Sequence, residues 1–93
     1  MLMTILEAHV LDEKQEILRQ IYRENITQPP PGLVRTYLVQ SAADPSLWRI
    51  LTVWQSREVL DEMRRQGTPG GVLMFRSAGA EPELSIMDIV EQA

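Results

Sequence analysis

The chain has 93 residues, a length that fits one small domain. A domain of this size buries only about 60–65% of the surface its unfolded chain would expose, so its own core is marginal and a partner subunit would help. A net charge of −4 repels phosphate backbones and supplies no basic face for anionic lipid, which argues against nucleic acid and membrane surfaces as partners.

The absence of cysteine removes disulfides, thiolate catalysis and cysteine–metal sites. No run of about 20 apolar residues is present to span a membrane. Residues 1–10 lack a basic stretch and are interrupted by Glu7 and His9. They do not read as a signal peptide, and a cytoplasmic location is the expectation.

Residues 2–10 alternate as a strand, with Leu6, Ala8 and Val10 on one side and Ile5, Glu7 and His9 on the other. Asp12 then reads as a helix N-cap paired with Gln15. Ile17, Leu18, Ile21 and Tyr22 recur at helical spacing and predict a helix over 13–26. It ends before Pro29, Pro30 and Pro31, which cannot donate helix hydrogen bonds.

A second strand is expected over 33–41 and a third over 48–55, rich in β-branched and aromatic residues. The short Ala43-Asp44-Pro45-Ser46 turn makes them an antiparallel hairpin. Ser56 reads as the cap of a second helix carrying Val59, Leu60 and Met63, with Arg64 and Arg65 at its C-terminal end and Gly67 beyond. A short helix or irregular turn is expected around 70–77, and the last strand over 83–90.

The order β-α-β-β-α-β specifies an α+β, ferredoxin-like fold: a four-stranded antiparallel sheet with both helices on one face. Alternation groups Leu6, Ala8, Val10, Val34, Leu38, Leu51, Val53, Met87 and Ile89 in one phase. Ile5, Leu33, Tyr37, Val39, Ile50, Trp54, Leu84 and Ile86 fall in the other, with Glu7, His9, Arg35 and Asp88. Both phases are too apolar for water. One face takes the helices and the other is expected to take a second copy, giving a homodimer.

Residues 48–58, Trp-Arg-Ile-Leu-Thr-Val-Trp-Gln-Ser-Arg-Glu, run from strand to helix through an aromatic, a polar cap and an acidic first turn. With Pro31-Gly32-Leu33-Val34 and the element order, this resembles the antibiotic biosynthesis monooxygenase domain family of the dimeric α/β-barrel superfamily. The likeness runs over nearly the whole chain and implies a dimeric barrel. It implies one of several activities, because some members oxidise polyphenols or quinones without a cofactor and others open haem. The haem-opening branch is similar in its Leu-Thr-Val-Trp strand. It carries an aromatic where Met63 stands here and a histidine further on, whereas this chain has no histidine after His9. Haem degradation is therefore not expected.

Cofactor-free oxygenation needs a base, hydrogen-bond donors for a developing anion and an apolar wall that keeps water away. His9, the single histidine, titrates nearest neutrality and is the candidate catalytic base. Glu7 shares its strand face and is a candidate binding residue that could favour the charged imidazole. Arg35 and Tyr37 are candidate donors, and Trp54, Trp48 and Met63 candidate walls for a small aromatic ligand. The plainer alternatives are an interface histidine, core or interface aromatics, and an Arg35–Glu7 pair between strands or subunits. Gly67-Thr68-Pro69-Gly70-Gly71 reads as a connector, with a lid over a pocket as the functional alternative. No metal-ligand spacing is present, and no cofactor is expected. Two functions follow: a cofactor-independent monooxygenase of a small phenolic or quinone-like molecule, or a non-catalytic dimeric barrel that binds an apolar ligand or serves as a regulatory or structural subunit.

Overall fold

The computed structural model describes residues 1–93. Its elements are β1 (Leu2–His9), α1 (Asp12–Asn25), β2 (Leu33–Gln40), β3 (Leu47–Trp54), α2 (Arg57–Arg65), α3 (Gly70–Ser77) and β4 (Glu83–Asp88). The strands form one antiparallel sheet in the order β2-β3-β1-β4, with the helices on one face. This is the expected ferredoxin-like sheet, with one additional helix. The segment at 70–77 is α3, a regular helix rather than a turn. No helix is long and apolar enough to cross a membrane.

The helix boundaries follow local chemistry. At α2 the Ser56 side chain accepts from the Val59 N–H at 3.2 Å, the cap its position predicts. At α1 the cap differs from expectation. Asp12 is already helical, and Leu11 occupies the cap with no side-chain bond. Gln15 does pair with Asp12, donating to its Oδ1 at 3.3 Å, and it also donates to the Val10 and Pro45 carbonyls, tying the start of α1 to the β2–β3 turn. Gly32 leads into β2 with φ +82, in the region that favours glycine.

Register corrects the alternation phases. Leu2, Thr4, Leu6 and Ala8 of β1 are buried beneath the helices with Trp48, Ile50, Thr52 and Trp54 of β3. On β4, Leu84 and Ile86 pair with Leu6 and Thr4 and share that covered face. The open face carries Met3, Ile5, Glu7 and His9 beside Arg49, Leu51, Val53 and Met87. Ile50, Trp54, Leu84 and Ile86 therefore belong with Leu6, while Leu51, Val53 and Met87 belong with Ile5. A register shift between Leu33 and Arg35 also splits β2. It puts Leu33 opposite Trp54 on the covered side and leaves Arg35, Tyr37 and Val39 opposite Val53, Leu51 and Arg49 on the open side.

The core has two parts. The larger contains Leu6, Ala8, Val10, Leu18, Trp48, Ile50 and Phe75, with Ala78 and Ala80 closing its edge. The smaller is Leu2, Trp54 and Leu60. Between them the covered face is polar, because Thr4, Thr52 and Thr36 are successive register partners across β1, β3 and β2. Close approach of α3 to the sheet requires Gly71, where a Cβ would stand 2.6 Å from Leu6 Cδ1.

Candidate active site

A cavity of about 660 Å³ lies over this threonine row, between the covered face of the sheet and the C-terminal end of α1, α2 and the start of α3. That volume is in the range of small-molecule sites. The mixed wall includes Tyr22 from α1, Trp54 from β3, and Met63 and Met74 from α2 and α3. Gly67 to Gly71 border it, so the connector between the two helices forms part of its edge.

The floor is a hydrogen-bonded row. Tyr22 donates its hydroxyl to Thr36 Oγ1 at 3.2 Å, and Thr36 and Thr52 share a second bond of 3.2 Å. At the other end the Trp54 indole N–H donates to Thr4 Oγ1 at 3.0 Å. Thr4 and Thr52 are buried, at 8% and 7% exposure, and are the only buried polar residues of the chain. Leaving a buried hydroxyl donor unmatched costs roughly 1–3 kcal/mol, so such groups mark places where a ligand or water oxygen belongs.

The wall contains no aspartate, glutamate or histidine. Its charged residues are Arg35 and Arg64, and neither forms an ion pair, whereas Arg23, Arg49, Arg57, Arg65 and Arg76 each do. The cavity is thus uncompensated on the positive side, within a chain of net negative charge.

The sequence-predicted residues divide between two places. Trp54 and Met63 line the cavity. Arg35 and Tyr37 sit on the open face by register, yet they also border the cavity at the free edge of β2. Glu7 and His9 lie on the open face, outside the cavity lining. Glu7 does not pair with Arg35 or His9. It accepts from its cross-strand partner Arg49, Nε to Oε1 2.5 Å.

His9 is 69% exposed at its side chain, with Nδ1 2.9 Å from Ser46 Oγ and 3.7 Å from Asp44. Ser46 gives both its hydroxyl and its backbone N–H to Asp44, and these bonds hold the Asp44 carboxyl below the usual aspartate range, with nearby His9 adding to the effect. With its own proton spent on Asp44, Ser46 Oγ accepts from His9 Nδ1–H. This cluster fastens the end of β1 to the β2–β3 turn. Trp48, expected as a wall, is buried in the larger core. Its indole N–H has no partner, and the Arg19 guanidinium lies 5.5 Å from its ring centroid.

Sequence reasoning missed Tyr22 and the three threonines as site residues. Tyr22 reads as core from its helical spacing, and threonine reads as an ordinary strand former. Only the register, which places three threonines in line, distinguishes them.

The model for the family described as antibiotic biosynthesis monooxygenase matches residues 1–67. No curated protein is significantly similar to the chain. Solved structures share the fold over nearly its whole length. A protein from Deinococcus radiodurans assigned to the antibiotic biosynthesis monooxygenases has a TM-score of 0.76 at 13% identity, covering 100% of this chain and 96% of that one. One from Nitrosomonas europaea with the same assignment has a TM-score of 0.74 at 23% identity, covering 98% and 100%. SnoaB, a cofactor-independent oxygenase from Streptomyces nogalater, has a TM-score of 0.73 at 14% identity, covering 98% and 94%. At these identities the likeness establishes the fold.

Proposed function

The chain belongs to the antibiotic biosynthesis monooxygenase family, and on that premise we propose that it is a cofactor-independent monooxygenase of a small phenolic or quinone-like aromatic. The observation that carries this reading is the cavity itself. It combines an aromatic and methionine wall, suited to a flat ring, with a row of hydroxyls for the ring's oxygen. The reaction balances without an outside reductant. A hydroxyarene and O2 give a quinone and water: one oxygen atom becomes the new carbonyl, the other leaves as water, and the substrate supplies all four electrons. The walls hold ring and oxygen together, and the floor holds the developing anion.

The working unit in this proposal is a homodimer joined through the open face. Met3, Ile5, Leu51 and Val53 form its centre, and Tyr37, Val39 and Met87, with 47%, 37% and 57% of their surface exposed, surround them. His9, Glu7, Arg35 and Tyr37 then lie at or near the subunit contact, and Trp54 and Met63 contact substrate.

Absence of any carboxylate or imidazole from the cavity wall favours one further reading, a barrel that binds the same class of molecule without turning it over. Oxygen consumption separates the two. Purified protein with a panel of hydroquinones and anthrone-like phenols is expected to take up oxygen faster than the substrates autoxidise. Binding without uptake favours the non-catalytic barrel. His9→Ala is expected to retain turnover within about twofold, because the imidazole lies outside the cavity; a loss of tenfold or more would return His9 to the chemistry.

A further inference from the structure

Oxidation of a phenol by oxygen proceeds most readily from its anion, and no aspartate, glutamate or histidine stands on the cavity wall. The titratable and charged groups facing the cavity are Tyr22 from α1, Arg35 and Tyr37 from β2 and Arg64 from α2, with none from β1, β3, α3 or β4. With no carboxylate or imidazole on the wall, the protein's contribution falls on the anion rather than on removal of the phenol's proton.

The floor is built for that anion. Tyr22, Thr36 and Thr52 carry three hydroxyl donors but make two bonds among themselves. Whichever way the Thr36–Thr52 bond runs, one donor is left unspent. Thr4 accepts from Trp54 and donates to no protein group, so its proton is unspent as well. Thr4 and Thr52 are register partners, so their Cβ atoms are about 4.5–5.5 Å apart. With Thr36 donating to Thr52, the two unspent donors are Thr52 and Thr4, and two donors at that spacing can converge on one oxygen. The ion-pair-free Arg35 and Arg64 add positive potential, and no carboxylate on the wall opposes it.

We infer that the cavity takes its aromatic ligand as the oxyanion, held by the unspent hydroxyl donors of the Thr36–Thr52–Thr4 row, with Arg35 and Arg64 supplying the favourable field. This rests on reading the cavity as the ligand site. Donors aimed at an anionic oxygen strengthen as its charge develops, so the row lowers the ionisation constant exponent of the bound phenol rather than merely orienting it.

The test uses 7-hydroxycoumarin, a flat phenol whose neutral and anionic forms absorb at different wavelengths. The wild-type protein is saturated with it and titrated between about pH 5.5 and 9. The bound probe is expected to ionise at least tenfold more readily than the free probe, one unit lower in its apparent pKa. Thr52→Ser should keep the shift and Thr52→Val should lose at least threefold of it. Arg64→Gln should reduce the shift, and salt should reduce it in the wild type, since the field of exposed charges is screened. A bound probe that ionises like the free one, or an equal shift in folded Thr52→Val, overturns the inference and leaves the cavity standing as a binding site. Should Thr52→Val not fold, the wild-type titration and Arg64→Gln decide. Failure of both neutral and anionic probe to bind overturns the inference together with the cavity reading.

Discussion

Replacing Gly32 with alanine is expected to destabilise the fold by roughly 2–5 kcal/mol, the sum of a left-handed backbone penalty and overpacking. Gly32 has φ +82, and a Cβ there would stand 2.1 Å from Val59 Cγ1 and 2.9 Å from Val59 Cβ and Cγ2. Val59 has little room to yield. It is β-branched and therefore stiff at χ1, and its N–H is held by the Ser56 cap in the first turn of α2. The Gly32 carbonyl also accepts from the Gln55 N–H at 2.9 Å, which fixes the backbone at the end of β3. Thermal melting should show a drop on the order of 10–20 °C or more, at about 4–8 °C per kcal/mol for a domain of this size. Gly79 is the internal control. It has φ +75 but nothing within 4 Å of an added Cβ, so Gly79→Ala should show the backbone cost alone, about 1–2 kcal/mol. Equal losses for the two variants would mean that Val59 moves aside and that α2 is not pinned to the start of β2. The site depends on this packing, because α2 carries Met63 and Arg64 to the cavity wall.

The second large effect concerns the open face. Leu51→Asp is expected to convert a homodimer into a monomer. Leu51 lies between Ile5 of β1 and Tyr37 of β2, its partners in the register, near the middle of the apolar surface. A stable interface buries about 800 Å² per partner, and a carboxylate without a partner at its centre would cost several kcal/mol. Light scattering at micromolar concentration should give twice the chain mass of 10.6 kDa for the wild type and 10.6 kDa for the variant, with unchanged circular dichroism. A wild-type mass of 10.6 kDa would contradict the dimer and leave the apolar face in water.

Much of the fold is legible in the sequence because its signals are local. The Ser56 cap, the proline break after α1 and the turn at 43–46 each mark a boundary through the chemistry of one or two side chains. The facing of the strands is not local. Alternation gives the phase within a strand, but which phase of β4 joins which phase of β1 is decided by pairing, and both phases here are apolar. Leu33 and Tyr37 stand four residues apart and would share a face in a regular strand. The register shift after Leu33 separates them, and no residue type at 33–35 announces it. Trp54 is legible as either a wall or a core aromatic, and it belongs to the smaller core while also lining the cavity. The threonine row is not legible, since each threonine is ordinary alone and acquires meaning only as a register partner of the next. His9 stands out as the one imidazole, and alternation puts it on the face of β1 opposite Leu6; which of those faces carries the cavity is decided only by where the helices pack.

The electrostatic picture separates along the same line. The ion pair between Glu7 and Arg49 and the cluster of His9, Ser46 and Asp44 belong to the open face and its edge. The cavity over the covered face is lined by hydroxyls, an indole and two rim guanidinium groups, with no acid among them.

The most direct measurement is the fate of labelled oxygen. Protein and a hydroxyarene substrate are incubated under 18O2, and the product is reduced before its carbonyls exchange with water. The account predicts one labelled oxygen in each product molecule, one O2 consumed per substrate, and no hydrogen peroxide. Unlabelled product with stoichiometric hydrogen peroxide would make the protein an oxidase, and bound substrate with no oxygen consumed would make it a binding module; either result contradicts the monooxygenase.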